Sequence, residues 1–335
     1  MSGVLVTGGS GYLATHLIAA LLRDGRRVRT TVRSTAREAF LRAAVRRGGA
    51  DDAGLEVVAA DLMSDDGWAT AVADCAEVHH VATPFPVAQP ADPDELIVPA
   101  REGTLRVLRA ARDAGARRVV LTSSFAAIGY TPKPDTDAGS GFTEDDWTDP
   151  DTPGLAPYPR SKTIAERAAW DLMERDGGDT ELVVVNPTFI LGPTLTSELR
   201  SSVTLLRMML EGTMEAVPRQ RFGLVDVRDV ADAHLRAMAV PEAAGGRFLA
   251  VGDGGTLSFL ELADLLRELL GPLAARVPVK EAPGDEPARL VIRNDRAREV
   301  LGWRPRPVGT TVMDTVDSMR ELGLVTLDGT EPASP

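Results

Sequence analysis

The chain has 335 residues, enough for two domains or for one large α/β domain carrying an insertion. It is 44% hydrophobic, so a sizeable core can form, and its net charge of −12 argues against nucleic acid or an anionic membrane surface as a partner. Its one cysteine, Cys75, excludes an internal disulfide and suits a cytoplasmic setting. No stretch resembles a signal peptide, and no apolar run reaches the roughly 18 residues a membrane helix needs. The four histidines do not form a metal cluster: His79 and His80 are adjacent on a predicted strand and point to opposite faces, while His16 and His234 lie far away in sequence. A buried structural role is expected for them, and no metal.

In chain order, Val4-Leu5-Val6-Thr7 reads as a strand. Gly8-Gly9-Ser10-Gly11-Tyr12-Leu13-Ala14 reads as a glycine-rich turn opening a helix that runs to Leu22. Residues 28–32 form a second strand, followed by Arg33. In this G-x-x-G-x-x-A pattern, Gly8 and Gly11 permit a tight turn and close approach to a diphosphate, with Ser10, Tyr12 and Leu13 in the same turn. The helix directs its free N–H groups at the anion, and Ala14 keeps the helix close to the strand. The strand–turn–helix context separates a dinucleotide site from a plain turn. An NAD site usually places an acid at the end of the second strand for the ribose 2′-hydroxyl. Here Arg33 and Arg37 stand instead, and a guanidinium matches a 2′-phosphate, so NADP(H) is preferred.

A helical stretch to about residue 47 and a third strand at 55–60 lead to Asp61 and Leu62, positioned to meet an adenine, although a turn or capping role suits Asp61 equally. After a fourth strand at 78–81, the small Ala82 and Thr83 permit close approach of a cofactor, and Pro84-Phe85-Pro86 begins a loop bordering the nicotinamide. A helix at 96–114, stopped by Gly115, precedes a fifth strand at 117–122. This alternation predicts a doubly wound parallel sheet of the Rossmann type. A loop at 132–159, a helix at 160–174 and a strand at 182–185 ending in Asn186-Pro187 follow. Beyond lie helices at 202–211, up to 239, at 257–270 and at 294–301, a strand at 247–251 that should close the main sheet, and a tail from Asp328. Residues 1–187 are thus expected to form mainly the cofactor domain. Residues 188–327 form mainly a smaller substrate-binding region with segments returning to the main sheet, and 328–335 a tail.

Tyr158 and Lys162 are spaced i, i+4 where a helix begins, so both can face one cleft. An ammonium beside a phenol favours the phenolate and makes the pair a usable acid/base. Ser123 and Ser124 end the fifth strand at the carboxyl edge, where Ser124 could donate to a carbonyl oxygen; Ser123 competes for that role. No nucleophile-elbow motif supports a serine hydrolase. Phe125, Phe189, Leu191, Leu195 and Met209 are expected in an apolar pocket suited to a hydrophobic or aromatic carbonyl compound.

Together, the glycine turn, Ser123-Ser124 and Y-x-x-x-K resemble the extended short-chain dehydrogenase/reductases over nearly the whole chain. Residues 4–13, 32–33, 78–84, 161–170, 183–193 and 225–238 look like the branch of dihydroflavonol reductases and aldehyde/ketone (carbonyl) reductases. The resemblance implies NADP held by Gly8, Gly11, Tyr12, Leu13, Arg33 and Arg37, Asp61 and Leu62 near the adenine, and Tyr158, Lys162, Pro187 and Ser202 near the nicotinamide. It implies that Tyr158 donates a proton to a carbonyl oxygen as hydride is delivered, Lys162 binds the ribose, and Ser124 orients the carbonyl. Arg106 stands where relatives often carry asparagine, and Pro157 and Pro159 flank the tyrosine. The cysteine-containing signature of cinnamoyl-CoA reductases is missing, which disfavours a CoA thioester. The competing readings are an NAD-dependent nucleotide-sugar epimerase or dehydratase and a non-catalytic NADP sensor; Arg33 speaks against the first and the intact Tyr158–Lys162 pair against the second. A monomer or a symmetric homodimer would both be ordinary.

Overall fold

The β-branched runs of the amino-terminal half pair side by side in parallel. In the computed structural model, which describes residues 3–83, 92–133, 141–199, 201–285 and 290–327, β1 (Gly3–Val6), β2 (Val28–Val32), β3 (Leu55–Ala59), β4 (Cys75–His80), β5 (Arg118–Thr122) and β6 (Glu181–Pro187) build the main sheet. The sheet order is β3-β2-β1-β4-β5-β6 with a further strand, Arg247–Ala250, beside β6. Every neighbouring pair is parallel. The chain winds outward from β1 to β3 and then resumes at β4 on the other side of β1. That reversal opens a crevice at the carboxyl ends of β1 and β4. The Pro84-Phe85-Pro86 loop and the tail from Asp328 lie outside the described residues.

The period-two alternation of each strand feeds two cores. Val4 and Val6 face α1 (Tyr12–Arg23) and α2 (Glu38–Arg47). Leu5 and Val78 face α3 (Trp68–Val72), α4 (Asp94–Asp113) and α5 (Pro157–Asp176). After β6 the chain forms β7 (Phe189–Leu191), α6 (Ser201–Glu211), β8 (Arg221–Asp226) and α7 (Val227–Ala239). α7 packs along α1 on the first face. β9 (Arg247–Ala250) then takes the edge beside β6. β10 (Thr256–Ser258) pairs antiparallel with β8, and β8 pairs parallel with β7, giving a second, three-stranded sheet. A separate core forms over it from α6, α8 (Phe259–Leu270) and α10 (Val308–Glu321), with Phe189, Phe222 and Phe259 in mutual ring contact. α9 (Asp295–Leu301) lies between and packs on α7. Among the described residues no helix is long and apolar enough to cross a membrane.

Several elements depart from the sequence expectations. β7 and β10 have three residues each, too few for a readable alternation. β8 and α3 have no counterpart among the elements expected from the sequence. α10 lacks an apolar period because half of its buried stripe is hydroxylic: Thr311, Thr315 and Ser318 are buried with Val312, Val316 and Met319. Those hydroxyls dock the helix, since Thr315 Oγ1 accepts from the Gly192 N–H at 2.7 Å and Ser318 Oγ from the Thr194 N–H at 2.9 Å. Leu191 and Met209, expected in a substrate pocket, are fully buried in the second core, and Leu195 is nearly so.

Trp303 pins the carboxyl-terminal elements to the first core. It is fully buried, and its indole N–H donates to the Asp229 carbonyl at 2.8 Å. Trp303→Ala should therefore lower stability by about 3–5 kcal/mol, measured as a fall in the urea midpoint. A loss under about 1 kcal/mol would contradict this packing.

Candidate active site

The glycine turn is a set of close approaches. Gly8 has φ +71°, and a Cβ there would sit 2.9 Å from the Ala82 Cβ. A Cβ on Gly9 would sit 2.4 Å from Thr30 Oγ1. Gly11, expected to share the steric duty with Gly8, has an ordinary φ of −79° and caps α1 with no side-chain cap. Thr15 is the first residue to bond back into the helix, to the Gly11 carbonyl, so the N–H groups of Tyr12, Leu13 and Ala14 are left for an outside acceptor. The Ser10 hydroxyl stands in the same turn, part-exposed. The Tyr12 phenol is engaged elsewhere: it donates to the Gly192 carbonyl at 2.6 Å, and burial, with Asp226 adding, pushes its pKa well up. The Leu13 side chain belongs to the core.

Thr7 Oγ1 closes the facing wall. It accepts from the N–H groups of Val81 (3.1 Å) and Ala82 (3.0 Å). Both its lone pairs are then used, so its proton goes to His80 Nδ1 at 2.9 Å. His80 is therefore neutral, with its own proton on Nε2.

At the ends of β2 and β3 the nucleotide-side candidates separate in character. Arg33 is exposed and makes no ion pair among the described residues. Arg37 pairs with Glu198 at 2.8 Å and lies 4.7 Å over the Phe40 ring. Asp61 Oδ1 accepts from the Met63 N–H at 3.0 Å, and its carbonyl accepts from the Trp68 indole at 3.0 Å. Leu62 lies against Gly103, where an added Cβ would come within 3.0 Å of it. Arg106 braces this turn from α4, donating to the Leu62 carbonyl and pairing with Asp65.

The reactive candidates meet beyond β5. Ser124 is extended (φ −162°, ψ 153°), so it and Ser123 point to opposite sides. Ser123 donates to the Glu166 carboxylate. Ser124 Oγ accepts from the Ala126 N–H at 3.1 Å and is hydrogen-bonded to the Tyr158 hydroxyl. α5 begins at Pro157, three residues before the expected start; prolines at 157 and 159 lose no helical bond because first-turn N–H groups need no intrahelical acceptor. One turn on, Lys162 Nζ lies 6.0 Å from the Tyr158 ring centroid and donates to Thr83 Oγ1 at 3.1 Å. Burial lowers the Lys162 ammonium to about 8, against the opposing pull of Glu166. The tyrosine departs from expectation: burial pushes its pKa up, Tyr130 adds to the rise, and the Ser124 hydrogen bond opposes it. Removal of the phenolate from water outweighs any help from the ammonium. Pro187 closes β6, and Ser202 Oγ donates to the Ile190 carbonyl at 2.5 Å. Half-exposed Tyr130 contacts Phe125, which meets Phe142 edge-on, so an aromatic wall stands beside Ser124. Sequence reasoning passed over Thr7, Gly9, His80, Glu166, Asn186 and Arg247. Of these only Glu166 carried a signal, its i+4 spacing from Lys162.

A glycine turn at the crevice of a doubly wound sheet, facing a Ser–Tyr–Lys cluster, defines a nucleotide-dependent enzyme fold. The chain belongs to the NAD dependent epimerase/dehydratase family, whose model matches residues 4–252. Its relatives include ketoreductase azaE of Aspergillus niger, 33% identical over 95% of this chain and 97% of that protein. Cinnamoyl-CoA reductase CAD2 of Medicago truncatula is 34% identical over 95% of each chain. Among solved structures, yeast methylglyoxal/isovaleraldehyde reductase Gre2, complexed with NADPH, matches with a TM-score of 0.78 at 26% identity, covering 96% of this chain and 100% of its own. Gre2 of Candida albicans, also complexed with NADPH, matches at 0.80 and 27% identity, over 96% and 99% of the two chains.

The histidines are buried and neutral. Burial lowers His79 and His80 to about 3, His16 to about 4, and His234 well below its ordinary value. His79 and His234 contact each other on one face, and His16 Nε2 meets the Pro193 carbonyl at 2.8 Å. Each folded-state pKa is depressed, so below about pH 6.5 the unfolded chain binds more protons and stability falls by about 1.4 kcal/mol per pH unit per group. The contribution is complete above that pH and is lost as pH falls towards 4. Melting temperatures at pH 7.5, 6 and 5 should drop steeply, and His79→Leu should flatten the slope. A melting temperature unchanged between pH 7.5 and 5 would refute this.

Proposed function

We propose that this chain is an NADPH-dependent reductase converting an aldehyde or ketone, hydrophobic or aromatic in character, to the alcohol. The single observation that carries the reading is the joining of Ser124, Tyr158 and Lys162 at the carboxyl edge of the sheet, with Lys162 reaching Thr83 across the crevice from the glycine turn. The names of the relatives, ketoreductase and cinnamoyl-CoA reductase, and of the NADPH-bound neighbours support it.

The residues fit the cofactor. The uncapped start of α1, with Gly8, Ser10, Gly11 and the N–H groups of Tyr12 and Leu13, suits a diphosphate. Uncommitted Arg33, with Arg37 beside it, suits a 2′-phosphate. Asp61 and Leu62 would meet the adenine. Ala82, Thr83, Lys162, Pro187 and Ser202 would border the nicotinamide end, together with Tyr158. Bound NADPH supplies the hydride. Tyr158, kept protonated by burial, gives its proton to the carbonyl oxygen, which Ser124 orients. Lys162 holds the ribose and places positive charge beside the phenolate left behind. Residues 1–187 serve mainly the cofactor and 188–327 mainly the substrate. The single buried thiol is consistent with a cytoplasmic setting, and the chain acts as a monomer or homodimer. A CoA thioester is the second reading, favoured by the cinnamoyl-CoA reductases among the relatives. Against it stands the one cysteine, buried at the start of β4, the opposite edge of the sheet from Tyr158.

Tyr158→Phe should cut kcat by roughly 10²- to 10⁴-fold while NADPH binding, followed by fluorescence titration, is retained; full turnover in this variant would sink the mechanism. Arg33→Ala with Arg37→Ala should weaken NADPH binding about 10- to 100-fold and leave NADH almost unaffected. Equal losses for both cofactors would remove the 2′-phosphate assignment. Because Lys162 titrates at about 8 and its charged form is needed, kcat should be level below that pH and fall as pH rises through it.

A further inference from the structure

One buried carboxylate ties the ends of β5 and β6 to the start of β9 behind the site. Glu166 lies on α5 one turn after Lys162 and two after Tyr158, and its side chain is wholly buried. Its Oε1 accepts from Arg247 Nε on β9 at 2.6 Å and from the Trp170 indole at 3.4 Å. Its Oε2 accepts from the Ser123 hydroxyl at the end of β5 and from Asn186 Nδ2 at the end of β6 at 2.8 Å. The same Asn186 amide donates to the Ser124 carbonyl at 3.2 Å. Besides the local turn bonds from the Ala126 and Ala127 N–H groups, Ser124 is thus tied to Glu166 by two routes, its neighbour's hydroxyl and its own carbonyl. Arg247 is fixed in turn, donating to the carbonyls of Glu144 (2.6 Å) and Asp146 (2.8 Å) and stacking 3.7 Å over the Trp147 ring.

We infer that Glu166, held by Arg247, is a positioning residue that sets the Ser124 hydroxyl against Tyr158 and Lys162. A carboxylate with four donors in a dry interior has one low-energy arrangement, so it fixes the distance between α5 and the ends of β5 and β6. Nothing in the hydride-transfer chemistry uses Glu166 itself. The inference rests on the reductase reading above. Glu166 also acts on charge: the groups facing the Lys162 ammonium are Tyr158 and Glu166 from α5, His80 from β4 and the Thr83 hydroxyl, and Glu166 is the anion among them.

The test uses the full chain with NADPH and a carbonyl substrate. Glu166→Gln keeps the shape and removes the charge. It should lower kcat roughly 10- to 100-fold, with KM and NADPH affinity changed less than about threefold, and should move the alkaline limb of the kcat profile to lower pH. Glu166→Asp should return the limb while kcat stays low, because the shorter arm keeps the charge and loses the reach. Ser123→Ala, a small deletion that leaves the ion pair, should lower kcat without moving the limb. A folded Glu166→Gln with unchanged kcat and limb overturns the inference. If that variant does not fold, Ser123→Ala at full rate overturns it instead. Absence of NADPH oxidation by the unaltered chain with every carbonyl compound tried would fell the underlying reductase reading, a result separable from either.

Discussion

Seven strands running the same way must all end at one edge, and the chemistry of this protein follows from that constraint. Arg33 follows β2, Asp61 follows β3, Ala82 and Thr83 follow β4, Ser124 follows β5 and Pro187 closes β6. Residues spread over nearly half the chain are thereby brought to one rim. The reversal of winding between β1 and β4 leaves the gap in that rim, and the walls of the gap nearly touch where Gly8 meets Ala82. A side chain at residue 8 would both strain the turn and close the crevice, so the glycine is a requirement of packing as well as of conformation.

Buried charge organises what lies behind the rim. Desolvating an ion pair is costly, and its retention needs near-complete hydrogen bonding. Arg118, almost fully buried on β5, meets this by pairing with Glu181 and donating to the carbonyls of Ala237, Met238 and Val240, the last turn of α7. It caps that helix and holds it to the sheet. Arg247 and Glu166 do the same on the opposite face for α5, the helix that carries Tyr158 and Lys162. The second core is tied on by both kinds of bond: Arg228 of α7 pairs with Asp314 of α10 at 2.6 Å, while the Tyr12 hydroxyl donates to the Gly192 carbonyl and Thr315 Oγ1 accepts from the Gly192 N–H, so the glycine turn and the substrate-side elements share one anchor.

Long elements with a clean period were legible in the sequence. β2 was read at its observed bounds because its residues are mostly β-branched, and the helices at 96–114 and 202–211 nearly so because each buries one face of apolar side chains. α10 was not, because it buries threonines and a serine whose hydroxyls only become satisfied by a loop far away in sequence. The three-residue strands have no pattern to read; pairing partners define them. In the site, the residue types and spacing of Ser124, Tyr158 and Lys162 were readable, whereas the choice between Ser123 and Ser124 was not. That choice depends on which side of an extended backbone faces α5, and Glu166 takes the other.

The sequence by itself determined the doubly wound order of strands and helices, the glycine turn, the basic end of β2 and the candidate acid/base pair. These rest on local period, turn chemistry and residue type, which act over a few residues. Only the tertiary structure decided that Gly9 is sterically required, that Leu191 and Met209 are core, and that the tyrosine pKa rises. Those depend on which groups from distant segments exclude water or occupy space around an atom. No spacing along the chain records that.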